Sequence, residues 1–374
     1  MNFEEHAAKP LLARLGIAVP KGGLAKTPDE AAEIAARIGA TVVKAQVPTG
    51  KRGKAGGIRL ATTPDEARTH AKAIIGMEIA GHKVEKVLVE EQMPIARELY
   101  AAVLNDASSK GPLVMFSTEG GMDIEEVAAK MPDKLRSQPV DIRRGFSHAD
   151  AEKLVRGQGL GTAESKIAEV LGKLYEAYAA FDAELMEINP LIVTKDGRVV
   201  ALDCKFVMDD SATVRQAEVA GAGTPDKPTG LEAKAQAAGL KYIDLDGNVG
   251  VLANGAGLTM TTMDVIRHHG GRPANFLEIG GESYTQARPA LELLLSNPAI
   301  KSLVINFCGA FARTDVMTEG VIEAIEALKP RLPIFFSVHG TGDEDAIRLL
   351  KERLGVTPLA TMDDASKAAV EAAR

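Results

Sequence analysis

The stretch Asn248-Val249-Gly250-Val251-Leu252-Ala253-Asn254-Gly255-Ala256-Gly257 decides half of the fold. An apolar run of strand length ends in a small-residue loop, and a helical pattern follows it. The same succession recurs with strands expected at 274–279, 302–307 and 332–338. Their loops are Gly280-Gly281-Glu282-Ser283, Cys308-Gly309-Ala310-Phe311-Ala312 and Gly340-Thr341-Gly342. Repeated strand, loop and helix imply parallel strands with right-handed crossovers, which sets the four loops along the carboxyl edge of one sheet. Backbone amides at the helix starts would favour an anion there.

Upstream the pattern is different. Strands are expected at Thr41–Gln46, Lys86–Glu91, Glu98–Leu104, Pro112–Phe116, Glu184–Val193 and Val199–Phe206, mixed with short helices. Thr27-Pro28-Asp29-Glu30 and Thr63-Pro64-Asp65-Glu66 repeat one helix-start signal, in which threonine caps, proline takes the first helical position and glutamate closes a capping box. From about Thr162, the residues Ile167, Val170, Leu171, Leu174, Tyr178 and Phe181 form a buried helical stripe. The first half is therefore α+β and the second α/β. Ala220-Gly221-Ala222-Gly223-Thr224-Pro225 and Pro228-Thr229-Gly230 read as a linker within 210–245, so the domains are expected at 1–225 and 226–374.

Charge and cysteine content narrow the function classes. Of 374 residues, 44 are Lys or Arg and 51 are Asp or Glu, a net charge of −7 without a basic stripe, which argues against nucleic acid as a partner. Cys204 and Cys308 have no metal-ligand spacing, and so few cysteines suit a reducing compartment. No apolar stretch is long enough for a membrane span and the first residues are not Arg-rich, so a cytoplasmic protein is expected. The P-loop, zinc H-E-x-x-H and G-x-S-x-G signatures are all missing.

Chemistry gathers instead at two places in the first half. Gly50-Lys51-Arg52-Gly53-Lys54-Ala55-Gly56-Gly57 is a glycine-rich loop with three cations, suited to a polyphosphate, with a solvated hairpin tip as the plain alternative. Lys44 interrupts an apolar strand, where a buried ammonium needs a partner charge that a ligand phosphate would supply. The second place is Glu187-Ile188-Asn189-Pro190-Leu191 followed by Ala201-Leu202-Asp203-Cys204-Lys205, joined through Lys195-Asp196-Gly197. A two-residue turn would point Asn189 away from Asp203. A three-residue loop with Gly197 left-handed places Asn189 opposite Asp203 and Glu187 opposite Lys205, and this register is the one we expect. An amide oxygen beside a carboxylate suits Mg²⁺ held together with nucleotide phosphates.

Taken together, Val43-Lys44-Ala45-Gln46-Val47, Arg52-Gly53-Lys54-Ala55-Gly56-Gly57, Glu98-Leu99-Tyr100, Ser117-Thr118-Glu119-Gly120-Gly121-Met122, Glu187-Ile188-Asn189-Pro190-Leu191 and Asn254-Gly255-Ala256-Gly257-Leu258 resemble the beta subunit of the ADP-forming succinate–CoA ligases, whose relatives include malate–CoA ligase. The resemblance runs through nearly the whole chain. It implies an ATP-grasp first half, a flavodoxin-like CoA-ligase second half, ATP (or GTP) and CoA as co-substrates with Mg²⁺, and a small dicarboxylic acid as substrate. The partner it implies is an alpha subunit that binds CoA and carries a phosphorylated histidine. By position, Lys44, Lys51, Arg52, Gly53, Glu90, the backbone at Met93 and Glu98 match the family's nucleotide contacts, and Asn189 and Asp203 its Mg²⁺ ligands. Glu187 is a candidate for steadying the incoming histidine.

On the acid side Asn254 matches, whereas the family's Gly-Ile-Val loop is replaced by Ala310-Phe311-Ala312. Ser337 and Gly342 stand where an arginine and an asparagine are usual, and Lys51 where a glycine is usual. Besides a succinate–CoA ligase subunit, two readings follow: a subunit for another dicarboxylate such as malate, and a non-catalytic nucleotide-binding regulatory subunit.

Overall fold

The computed structural model describes residues 1–50, 52–225, 228–280 and 286–374. The chain divides into two compact units, Met1–Asp226 and Lys227–Arg374. No described helix is long and apolar enough to cross a membrane.

The described residues of the first unit hold two large sheets and a two-stranded pair, Glu78–Ile79 with His82–Lys83. Strands β1 (Gly22–Ala25), β2 (Thr41–Ala45), β3 (Ile58–Ala61) and β4 (Val87–Glu91) lie in the order β1-β4-β2-β3, all antiparallel neighbours. The helices Pro28–Ile38 and Pro64–Ile74 pack with Val43, Ala45, Val87 and Val89 into one core. Thr27 and Thr63 cap them as expected, each accepting from the N–H three residues on at 3.2 Å. The capping glutamates reach one residue further back than a capping box would, to the N–H groups of Lys26 and Thr62 at 2.7 Å. Because side chains alternate along a strand, the residues between the core positions face the other way. Val42 pairs with Leu60 and with Glu90, and Lys44 with Ile58, so one row of side chains runs across the opposite face of the sheet.

Strands β5 (Ile95–Asp106), β6 (Gly111–Ser117), β7 (Leu135–Pro139), β8 (Ala183–Thr194), β9 (Val199–Ala201) and β10 (Lys205–Met208) form the second sheet, in the order β9-β8-β5-β6-β7 with β10 also on β8. The helix Glu164–Ala180 buries Ile167, Val170, Leu171, Leu174 and Tyr178 against it, the stripe read from the sequence. The run expected as one strand over Val199–Phe206 is broken between Ala201 and Lys205, the segment that carries Asp203.

In the second unit β11 (Lys241–Asp244), β12 (Val249–Ala253), β13 (Asn275–Glu278), β14 (Ser302–Gly309) and β15 (Ile334–Gly340) take the order β11-β13-β12-β14-β15. The four expected strands are parallel. The fifth, β11, is antiparallel and lies in the segment read as a linker, which also contains the helices Ala217–Ala220 and Gly230–Ala237. Ala235, Leu240 and Tyr242 reach the core from that segment, but three buried apolar residues so spaced leave too short a pattern for periodicity to detect. Of the expected loops, Gly281 to Ser283 lie outside the described residues.

Candidate functional site

The row of side chains on β2, β3 and β4 forms one wall of a cavity of about 460 Å³ in the first unit. Val42, Ile58 and Leu60 make an apolar side, continued by Met93, Ile95, Pro190 and Leu202. Leu60 is 59% exposed and Ile58 37%, large apolar groups open to solvent on a sheet face. The polar part of the lining is Lys44, Arg52, Glu90, Asn189 and Asp203.

The hairpin explains how Asn189 and Asp203 meet. Leu191 pairs with Ala201 and Glu187 with Lys205, and Gly197 has φ +76°, so the connection is the three-residue loop with the expected register. Against β5, however, β8 slips by one residue between Ile188 and Leu191, a bulge that the sequence pattern did not reveal. Met186, Ile188, Leu191 and Val193 all reach the core on either side of it. The Asn189-Pro190 peptide within the bulge is cis.

The loop after β6 closes over this hairpin. Gly121 N–H donates to Asn189 Oδ1 at 2.7 Å, and Asn189 Nδ2 donates to Met122 O at 2.9 Å. Gly121 has φ +74°, which favours glycine, and a β-carbon there would meet the end of the Glu98 side chain. Glu98 therefore touches the loop that holds Asn189 and does not line the cavity. The Met93 carbonyl accepts from Ile95 N–H at 3.0 Å. Lys51 lies outside the described residues. The rest of its loop is a turn in which Gly57 N–H donates to Arg52 O at 2.9 Å, and Arg52, Gly53 and Lys54 line the cavity.

The expectation that a phosphate would supply the counter-charge of Lys44 needs correction. Lys44 Nζ lies 2.8 Å from Glu5 Oε1, 2.8 Å from Glu90 Oε2 and 2.6 Å from the Leu202 carbonyl. Arg52 donates from Nη1 to Glu5 Oε2 at 2.7 Å and from Nη2 to both oxygens of Asp203 at 2.7 and 2.6 Å. Lys9 Nζ completes the set, 2.7 Å from Glu5 and 2.8 and 2.6 Å from the oxygens of Glu90. Three cations face three carboxylates. Burial works to lower the pKa of Lys44, but Glu5, Glu90 and Asp203 outweigh it and hold the ammonium above its ordinary range. Arg52 is held up likewise by Asp203 and Glu5 against its burial. Glu5 is pushed up by burial and pulled down further by Lys44, Lys9 and Arg52, ending well below the usual carboxylate range.

Glu5 and Lys9 were missed in the sequence. Both sit on the helix Glu5–Arg14 at i and i+4, in step with the buried Ala8, Leu11 and Leu12. A charged pair on the apolar side of a helix was the available signal.

A second cavity, of about 180 Å³, shares Arg52, Asp123, Asn189 and Asp203 with the first and is lined beyond them by Glu125, Glu187 and Lys205. Tyr100 Oη donates to Glu187 Oε2 at 3.0 Å. Burial is the main cause that raises the pKa of Glu187, with Tyr100 and Lys205 opposing.

Among the described residues no three His, Cys, Asp or Glu side chains cluster as a metal site. The donor set nevertheless fits Mg²⁺. Asn189 and Asp203 bring hard oxygens to one cavity, where Gly121 N–H, Arg52 and Cys204 N–H occupy part of their acceptor capacity, and Mg²⁺, which keeps few protein ligands, would take the remainder from phosphate and water.

In the second unit, Asn254 Oδ1 accepts from Cys308 N–H at 2.8 Å and its Nδ2 donates to Cys308 O at 2.9 Å, which brings the ends of β12 and β14 together. Ala310 is exposed, Phe311 is 96% exposed and Ala312 packs against the core. Ser337 is buried within β15 opposite Asn306. Gly342 has φ +87°, and a β-carbon would strike the Asp315 carboxylate, which accounts for glycine there.

Residues 2–193 match the ATP-grasp domain family and residues 252–373 the CoA-ligase family, so the chain is of the class that joins these two domains. It is 45% identical over 353 residues to the succinate–CoA ligase [GDP-forming] subunit beta of Thermus thermophilus, covering 94% of this chain and 93% of that one. It is 44% identical to the succinate–CoA ligase [ADP-forming] subunit beta of Rubrobacter xylanophilus, covering 100% of this chain and 99% of that one. The chain belongs to the succinate–CoA ligase beta-subunit family. ATP citrate lyase from Methanothrix soehngenii shares the fold, with a TM-score of 0.67 at 24% identity over 99% of both chains.

Proposed function

We propose that this chain is the nucleotide-binding subunit of a ligase that joins succinate to CoA at the expense of ATP, giving ADP and phosphate. Its partner is an alpha subunit that carries the CoA site and a histidine nucleophile. One observation carries this reading: a single cavity is lined both by an open apolar wall of Val42, Ile58 and Leu60 and by the cations Lys44 and Arg52 with the oxygens of Asn189 and Asp203. A nucleoside triphosphate has the same division into a flat apolar-faced base and a polyanion.

The base lies against Ile58, Leu60 and Met93, and the phosphates reach Lys44 and Arg52. These cations, fixed before the substrate arrives, offset the charge that spreads over the phosphoryl oxygens during transfer. Asn189 and Asp203 would hold Mg²⁺, which adds charge neutralisation when bound. The γ-phosphoryl passes from ADP as leaving group to a nitrogen of the partner histidine, then from that nitrogen to a succinate carboxylate oxygen. The thiolate of CoA attacks the resulting acyl phosphate and expels phosphate. Glu187, in the cavity adjoining the metal pair, receives the histidine and orients it by hydrogen bonding.

Acyl-CoA formation by the chain co-purified with its partner subunit tests the proposal, with ATP or GTP and a panel of acids including malate. Nucleotide- and succinate-dependent turnover is expected. No turnover with any acid, despite nucleotide binding, would contradict it and return the chain to a regulatory role.

A further inference from the structure

We propose that Glu5, on the first helix, is a positioning residue for nucleotide binding: it sets Lys44 and Arg52 side by side at the cavity wall. This rests on the reading of that cavity as the nucleotide site. Glu5 is 2% exposed and lines the smaller adjoining cavity, not the one assigned to the nucleotide. Its two oxygens are divided between the two cations, Oε1 to Lys44 at 2.8 Å and Oε2 to Arg52 Nη1 at 2.7 Å. Lys44 comes from β2 and Arg52 from the glycine-rich loop beyond it; the Ala45 carbonyl of β2 accepts from Arg52 Nη1 at 3.1 Å and anchors the guanidinium, and Glu5 is the group that bonds to both charged ends. Two cations so close repel each other unless an anion lies between them, and in a buried setting that repulsion is weakly screened.

Lys9, one turn further along the helix, does the complementary work. It grips both oxygens of Glu90, whose Oε2 also accepts Lys44, so the helix contributes one anion and one cation and leaves the net charge of the cluster unchanged. Packing alone does not call for this pair. Ala8, Leu11 and Leu12 already bury the helix, and desolvating two charges costs more than apolar side chains would at the same positions. The ion pairs instead fix the direction of two groups that end at the cavity.

The experiment is a double-mutant cycle on affinity for Mg–ADP, titrated calorimetrically into the full chain bound to its partner subunit. Glu5→Gln is expected to weaken binding by about tenfold or more, the scale of a charge-assisted hydrogen bond to a binding group. In an Arg52→Ala background the same change should weaken it by less than about threefold, because part of what Glu5 holds has gone. If Glu5→Gln does not fold, the cycle is run with Glu5→Asp, which keeps the charge on a shorter arm and should show the same dependence on Arg52. Unchanged affinity in Glu5→Gln, or an equal loss in both backgrounds, overturns the proposal and leaves Glu5 a structural ion. Wild-type chain that fails to bind Mg–ADP takes down the nucleotide reading itself and this inference with it.

Discussion

Arg52 Nη2 lies 2.7 and 2.6 Å from the two carboxylate oxygens of Asp203, so one nitrogen of the glycine-rich loop spans both oxygens of the hairpin residue. The other terminal nitrogen reaches Glu5. Asp203 thus serves two purposes in the proposed site, as metal ligand and as the anchor of a phosphate-binding cation. Asp203→Ala should lower kcat/KM for nucleotide by about 100-fold or more, as expected when a preorganised electrostatic group is lost. Steady-state assays of the assembled ligase check this, and a variant within a fewfold of wild type would contradict it.

The apolar wall makes a separate prediction. Leu60 is mostly exposed, so Leu60→Ser should leave stability within about 0.5 kcal/mol of wild type. It should raise KM for nucleotide by about three- to tenfold, the loss of roughly a kilocalorie of apolar burial against the base. Thermal unfolding and nucleotide titration separate the two effects.

Acid should weaken the first unit through Glu5. Its carboxyl is held well below the ordinary range in the folded chain, since the three cations outweigh the effect of burial. The unfolded chain therefore takes up the proton first as pH falls. The stabilisation is present above the unfolded pKa, near 4.5, and is lost progressively as pH drops toward the folded value. Urea unfolding from pH 7 downward should show stability falling below that point, and Glu5→Gln should flatten the fall. Parallel curves for the two chains would contradict the assignment.

Leu171 is fully buried beneath the second sheet on the helix Glu164–Ala180. Leu171→Ala should cost about 2–5 kcal/mol by leaving a cavity. Activity per folded molecule should be retained, which chemical denaturation together with active-site titration would establish.

Much of this was legible before the structure. The strand, loop and helix rhythm around Asn254 foretold the parallel sheet, because fully buried strands write themselves as apolar runs. Asn189 opposite Asp203 followed from the φ > 0 requirement that Gly197 satisfies in a three-residue loop. The counter-ions of Lys44 did not follow, since Glu5 is 39 residues away in sequence and pairs only through tertiary packing. Nor did the bulge at Asn189, where one extra residue re-aims a side chain without disturbing the apolar pattern on either side. Strand β11 escaped notice because only Tyr242 of its four residues is buried.

Titration of ADP into the full chain, with and without Mg²⁺, tests the central claim most directly when the wild type is set beside Lys44→Met and Asp203→Ala. One nucleotide should bind per chain with an affinity that Mg²⁺ strengthens. Lys44→Met should weaken it, and Asp203→Ala should remove the dependence on Mg²⁺. ADP binding that neither substitution changes would place the nucleotide elsewhere and contradict the account.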